Sequence, residues 1–313
     1  MLRDDVAQTL GVAGHSLAWA RRWADGDRAD PDFIETLGIS QQQRDAVRAT
    51  IADGEGLGSI DPVVSFLIAA TNGILYKSVN GRLSRIPIPE IRMAPAEGVE
   101  LLDVGCSWGR WSLAAAGMGY RPIGIDPSLG AVLAAKRLAH QRGVAFRGVV
   151  ADARHLPFQQ GVIGTAFSYS VLQHFSKTDA ELAFREIGRA VMPGGTVRIQ
   201  MASATGVRSL QHLVRRGFRA PQDFEVRYWT PRHLMQVFGE AVGCARLEVD
   251  CYFGLGLQPT DRALYGRAGR IILSVSEALR WTSKMLPPLR YLADSVYLVG
   301  KNLPAKVRRS AKR

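Results

Sequence analysis

The run Leu101-Leu102-Asp103-Val104-Gly105-Cys106-Ser107-Trp108-Gly109-Arg110 constrains this chain more than any other stretch. An apolar segment without alternation ends at a glycine, a second glycine follows four residues later, and a helix-compatible segment begins at Arg110. Unbroken apolar residues read as a strand covered on both faces. Glycines at this spacing let the backbone turn through left-handed conformations. Further along, Ile123-Gly124-Ile125-Asp126 is a second apolar run closed by an acid. Strand, tight turn, helix and strand in this order make an α/β unit with parallel strands.

The alternation continues. Strands are expected at 100–104, 122–125, 145–150, 162–169, 196–201, 246–253 and 295–299, with helices at 110–117, 129–141, 179–191 and 231–242. This predicts an α/β fold: a doubly wound, mostly parallel, seven-stranded Rossmann-like sheet with helices on both faces. Residues 1–92 contain no strand-turn-helix unit and read as a mainly helical N-terminal module, a cap or substrate module. In it Val6, Leu10, Leu17, Trp19 and Trp23 suggest an amphipathic first segment, Ser40 an N-cap, and Asp61-Pro62 a helix start. The prolines between Ile86 and Gly98 predict an extended linker. The main domain then spans 93–300, with substrate-side inserts at 204–230 and 260–290, and a basic flexible tail at 301–313.

Composition narrows the setting. The 313 residues carry a formal charge of +12, and six of the positive charges lie in the tail from Lys301 to Arg313 with no acid among them. Such a tail is a solvated end or a contact for nucleic acid or anionic lipid. Three cysteines without framework spacing, no leader-like N-terminus and no run long enough to span a bilayer predict a cytoplasmic protein. Six scattered histidines show no metal-ligand spacing.

A dinucleotide fingerprint needs G-x-G-x-x-G. Here those places hold Gly105, Ser107 and Arg110, so two of three glycines fail. The stretch Asp103 to Gly109 instead resembles motif I of the class I S-adenosylmethionine-dependent methyltransferases, D-x-G-x-G-x-G, with Ser107 at the middle glycine. Asp126 follows at the end of the second strand, where a carboxylate accepts both ribose hydroxyls. Ala151-Asp152-Ala153 with Leu156-Pro157-Phe158 resembles the family's adenine clamp, and Ser168 to Phe175 resembles motif IV of its small-molecule members. Glu186, Ile187 and Ala190 with Met192-Pro193-Gly194-Gly195 resemble the helix and turn before the fifth strand. The resemblance covers 97–203 closely and reaches 300 by topology, within a subgroup that includes ubiquinone-type, sterol-type and natural-product enzymes.

The resemblance implies S-adenosylmethionine as cofactor, S-adenosylhomocysteine as product and no metal. It implies cofactor contacts from Asp103, Gly105, Cys106, Ser107, Gly109, Asp126, Pro127, Asp152, Ala153 and Ser170. The implied reaction is methyl transfer to oxygen, nitrogen or carbon of a small-molecule or lipid-linked acceptor. His174 is the candidate general base, at the end of the fourth strand with a side chain suited to neutral pH. Arg208, Arg215, Arg216, Arg219 and Arg227 are candidates to bind an anionic group on the acceptor, or form a solvated face. Tyr76, Lys77, Arg82 and Arg85 precede the linker and are candidates for a lid. Ile271, Ile272, Val275, Leu279 and Leu286, accompanied by five cations between Arg267 and Arg290, either pack on the core or form a helix lying on a membrane. Peripheral contact with the inner membrane face would follow from the latter. The competing functions are an RNA methyltransferase, suggested by the basic charge, and a catalytically silent cofactor-binding scaffold. Oligomeric state is not legible.

Overall fold

Among the described residues, seven strands form one sheet in the order β3-β2-β1-β4-β5-β7-β6. The strands are β1 Glu100–Val104, β2 Arg121–Asp126, β3 Arg147–Val150, β4 Ile163–Ser168, β5 Val191–Ala202, β6 Arg246–Cys251 and β7 Ser295–Lys301. The pairs β2–β3, β1–β4 and β4–β5 are parallel, while β7 runs antiparallel to both β5 and β6. The expected doubly wound, mostly parallel sheet is the observed one. The computed structural model describes residues 86–222, 224–243 and 245–303, together with Val64, Leu67, Ile68, Leu75, Tyr76 and Leu83. The expected first amphipathic segment, the Ser40 cap, the helix start at Asp61-Pro62 and most of the basic tail lie outside these residues. The described residues fall into two units, one within 1–97 and 105–152, the other within 98–104 and 153–313.

In the first unit, helices α1 (Arg110–Gly117) and α2 (Leu129–Gln141) follow β1 and β2 in sequence. Buried Ala131, Ala134, Ala135 and Ala139 make α2 smooth enough for close approach. A Cβ on Gly109 would meet the Ala135 Cβ at 3.0 Å. Ser128 caps α2, its hydroxyl accepting from the Ala131 amide at 3.2 Å. The stretch expected as a linker is irregular but packed: Ile86, Pro89 and Ile91 are buried. Its end is tied down where the Ala96 amide donates to the Met118 carbonyl at 2.9 Å. Burying those apolar side chains outweighs leaving the segment solvated.

In the second unit, α3 (Lys177–Ala190) is capped by Ser176 and packs on α5 (Pro231–Val242) through an edge-to-face pair, Phe184 and Phe238, 6.0 Å apart. Strand β5 starts five residues earlier than expected. The register jumps from Ile163↔Val191 to Thr165↔Thr196, so Met192 to Gly195 bulge out within the strand rather than forming a turn before it. Asn302 holds the bulge: its side chain donates to the Val191 carbonyl, and its main chain exchanges bonds with Gly194 and Gly195 at 2.8 Å. The insert after β6 forms α6 (Arg267–Met285), ended by Pro287 and continued as a 3₁₀ turn over Pro287–Leu292. The inward residues of α6 are Leu273, Ser276 and Ser283. Ile271, Ile272, Val275 and Leu286 are exposed, Ile271 at 64%. Leu279 is half-buried, so packing of these apolar positions on the protein's own core, one of the two expectations, is met in part at that position alone.

Candidate functional site

The glycine turn is built from main-chain geometry. Gly105, Ser107 and Gly109 all take positive φ, at 75°, 46° and 85°. The Gly105 and Cys106 amides both donate to the Ile125 carbonyl at 2.8 Å, drawing the turn against β2. That approach requires Gly124, where a Cβ would lie 2.7 Å from both Cys106 Sγ and the Phe146 ring. Asp126 then clasps the turn: one carboxylate oxygen accepts from the Ser107 amide at 3.0 Å, the other from the Ser128 amide at 2.9 Å. Each oxygen keeps a second lone pair, which suits a vicinal diol. Burial pushes the Asp126 carboxyl up to about 6, against the two amides that lower it. The cap of α2 belongs to Ser128, so Asp126 is left to the turn and its ligand.

Asp152 lies half-buried two residues beyond Val150, the β3 residue that pairs with Asp126 in register. Pro127, also half-buried, follows Asp126. The first unit thus brings together Gly105, Cys106, Ser107, Gly109, Asp126, Pro127 and Asp152 on consecutive strand ends. Ser107 Oγ is buried without a partner, an orphan that a bound polar group satisfies. Glycine-walled turn, diol-accepting carboxylate and orphan hydroxyl fit the nucleoside and amino-acid ends of S-adenosylmethionine.

Asp103 and Ala153 belong to the second unit. Asp103 is 1% exposed in β1, opposite Phe167. Ala153 is buried at the head of a loop that α3 holds by its main chain. Glu186 accepts from the Leu156 amide at 3.0 Å, while Arg189 donates to the Leu156 and Phe158 carbonyls at 2.9 and 2.7 Å. Glu186 and Arg189 also pair with each other at 2.7 Å, which makes a rigid bracket.

After β4, Ser170 takes φ 60° and its amide donates to Gln200 Oε1 at 2.7 Å. Gln200 donates in turn to Ser295 Oγ at 2.7 Å, and Ser295 to Asp250 at 2.7 Å. Asp250 also accepts from the Tyr169 hydroxyl at 2.8 Å, which accepts from Gln258 at 2.8 Å. Burial and the neighbouring Asp250 carboxylate hold the Tyr169 phenol well above its ordinary range. Gln200, Asp250, Gln258 and Ser295 were not among the candidates from sequence. Their signal was a polar residue interrupting an apolar strand, as in Val-Arg-Ile-Gln-Met.

His174 ends a single 3₁₀ turn, Leu172–His174. Its Nδ1 donates to the Phe224 carbonyl at 2.7 Å, because a carbonyl only accepts, and its ring stacks on Phe224 at 4.0 Å and 3°. Burial, with help from Arg227, lowers its pKa to about 4, while the Phe224 and Ser170 main chain pulls the other way. The ring is neutral at pH 7, with its basic nitrogen at Nε2. The arginines expected to bind an anion are largely committed. Arg219 makes a two-bond pair with Glu225 at 2.8 and 2.6 Å, Arg216 lies 3.7 Å from the same carboxylate, and Arg227 donates to the His174 carbonyl at 2.7 Å.

Residues 101–195 match a family model described as a methyltransferase domain. A ubiquinone biosynthesis O-methyltransferase of Azorhizobium caulinodans is 27% identical over 113 residues, covering 36% of this chain and 44% of the relative. The Rhizobium johnstonii protein of the same description is 27% identical over 176 residues, covering 54% of this chain and 63% of the relative. The chain thus spans about half the length of the relatives it matches. Among solved structures, a Haemonchus contortus phosphoethanolamine N-methyltransferase 2 with S-adenosylmethionine is 17% identical with a TM-score of 0.46, covering 79% of this chain and 59% of that one. The Bacillus subtilis protein YcgJ is 19% identical with a TM-score of 0.46, covering 67% and 94%. The turn, its acid and the family match agree: residues 101–195 carry a methyltransferase domain of the class I S-adenosylmethionine-dependent kind.

Proposed function

We propose that the protein transfers a methyl group from S-adenosylmethionine to an oxygen of a small, lipid-linked acceptor. The observation that carries the cofactor assignment is Asp126, whose two oxygens each accept one amide of the glycine turn and keep a lone pair for the ribose. When bound, the cofactor supplies a methyl group activated on a sulfonium, so the protein's task is positioning. Asp126 orients the ribose, Asp152 accepts from the adenine amino group, and the turn amides receive the amino-acid end. His174 takes the acceptor's proton at Nε2, its Nδ1 hydrogen being held by Phe224. A base with its pKa near 4 is weak, and this suits an acidic phenol better than an alcohol.

Two surfaces of the second unit support the lipid-linked acceptor. Val207, Leu210, Val214 and Phe218 on and beside α4 (Val207–Arg215) are exposed, as are Ile271, Ile272, Trp281 and Met285 of α6. They are joined where Thr205 donates to the Tyr291 carbonyl and the Ser209 amide to Asp294 at 2.7 Å. Helix α4 has no acid, and the one acid of α6, Glu277, pairs with Arg280 at 2.6 Å. Exposed apolar side chains on helices that also carry the exposed cations Arg208, Arg215, Arg267 and Lys284, none of them in an ion pair among the described residues, suit the cytoplasmic face of an anionic bilayer. No described helix is long and apolar enough to cross one.

The test is transfer of labelled methyl from the cofactor to a polyprenylated catechol and to the same catechol without its chain. Faster labelling of the prenylated compound on anionic vesicles supports the reading. Cofactor binding without transfer to any acceptor favours a silent scaffold, and labelled RNA favours an RNA enzyme. The family match favours neither alternative.

A further inference from the structure

The buried polar residues behind Ser170 form a chain with one direction. The Ser170 amide donates to Gln200 Oε1 at 2.7 Å, Gln200 Nε2 to Ser295 Oγ at 2.7 Å, and Ser295 Oγ to Asp250 Oδ2 at 2.7 Å. The Tyr169 hydroxyl accepts from Gln258 and gives its own proton to that same Asp250 oxygen, each at 2.8 Å. Two arms from adjacent residues therefore end on one carboxylate oxygen. Gln200, Ser295, Asp250 and Gln258 are at most 3% exposed, so bulk water does not replace a lost partner.

The direction follows from the end point. A carboxylate accepts, so Ser295 donates its single proton to Asp250 and receives from Gln200. The Gln200 amide then turns its nitrogen to Ser295 and its oxygen to Ser170. Flipped, it would set an NH2 group against the Ser170 N–H, donor against donor. Asp250 is itself placed by a β-bulge. Val249 pairs with Val296 and Cys251 with Ser295, which leaves Asp250 as the extra residue of β6. A bulge re-aims a side chain at the expense of regular pairing.

What the chain holds is the start of the His174 turn. Ser170 sits at φ 60°, which a serine keeps only where its surroundings fix it. From there the backbone enters the 3₁₀ turn that ends at His174. Ser170 Oγ accepts from Gln173 Nε2 at 2.7 Å, and the Ser170 main chain favours the charged form of the His174 ring. Arg227 holds the far end of the turn by donating to the His174 carbonyl at 2.7 Å.

We infer that Gln200 is a positioning residue for methyl transfer: oriented by Asp250 through Ser295, it fixes Ser170 in the left-handed conformation and so places the turn that carries His174. The inference rests on the proposed reaction with His174 as its base.

The test uses the full chain and two readouts. One is the NMR signal of the His174 ring in protein with isotope-labelled histidine, identified by its loss in His174→Ala. The other is kcat and KM for the polyprenylated catechol at saturating cofactor. Gln200→Met keeps the length and removes both hydrogen bonds. It is expected to shift the His174 signal and to lower kcat by about 10- to 100-fold, with KM within about threefold. Gln200→Glu, which still accepts from the Ser170 amide, restores most of that kcat. Tyr169→Phe cuts the other arm and leaves Gln200 bound to Ser170, so its loss of kcat is smaller by about tenfold. An unmoved His174 signal in Gln200→Met, an unchanged kcat, or equal losses in Gln200→Met and Tyr169→Phe overturn the inference. If Gln200→Met does not fold, Ser295→Ala cuts the same arm and is read by the same criterion. A wild-type protein that leaves the catechol unmethylated overturns the acceptor reading, and the His174 signal then decides the inference by itself.

Discussion

The glycine turn and the surroundings of His174 are built by different means. The turn from Gly105 to Gly109 is held by main-chain amides and by the absence of side chains at Gly105, Gly109 and Gly124, all within one short stretch of sequence. The surroundings of His174 and Tyr169 are held by side chains from Gln200, Phe224, Arg227, Asp250, Gln258 and Ser295, spread over the rest of the chain. A site made of backbone serves a constant ligand. A site made of dispersed side chains changes with each substitution.

Substitutions on the two sides should separate cleanly. Asp126→Ala removes the diol acceptor and the clasp on Ser107, and S-adenosylhomocysteine affinity should fall by about 100-fold or more in calorimetry. His174→Ala should lower turnover by about 100-fold while leaving that affinity unchanged. Lost affinity with unchanged turnover would make His174 part of the cofactor side. Acid gives a subtler contrast. With its pKa near 6, Asp126 is protonated as pH falls below that value, and cofactor affinity should drop about tenfold per unit. Asp126→Asn should flatten that profile. In the ligand-free protein the sign is opposite: the raised pKa contributes stability present below pH 3.8 and lost as pH rises through about 6. Gly124→Ala should cost about 1–3 kcal/mol in thermal unfolding, since its Cβ collides with Cys106 and Phe146. The smallest effect belongs to the surface: Arg219→Ala breaks an exposed pair with Glu225 and should leave the melting temperature and cofactor affinity unchanged.

Legibility from sequence followed the same division. The turn from Gly105 to Gly109 and the places of Asp126 and Asp152 at strand ends could be read because apolar runs and glycine spacing report local backbone directly. The start of β5 could not, because Pro193-Gly194-Gly195 has turn chemistry and only Asn302, far along the chain, converts it to a bulge. The orientation of α6 was equally hidden. Its apolar spacing fits two opposite faces, and Ser276, whose hydroxyl accepts from the Tyr252 amide at 2.9 Å, decides which one turns inward. The sequence left the arginines of 208–227 open between an anion site and a solvated face, because pairing of Arg219 with Glu225 is a three-dimensional fact. The chain from Ser170 through Gln200 and Ser295 to Asp250 joins residues 30, 95 and 45 positions apart, beyond any periodicity.

Strand β7 lies between β5 and β6, although it is made after both. During synthesis β6 emerges with no neighbour in the sheet, since β7 is its hydrogen-bonded partner. Until residues 295–301 arrive, β5 and β6 both present open edges, the kind of surface that recruits other chains. The nascent protein therefore passes through a sticky interval that ends only when β7 slides into the gap, and any product shortened before Asp294 would never leave it.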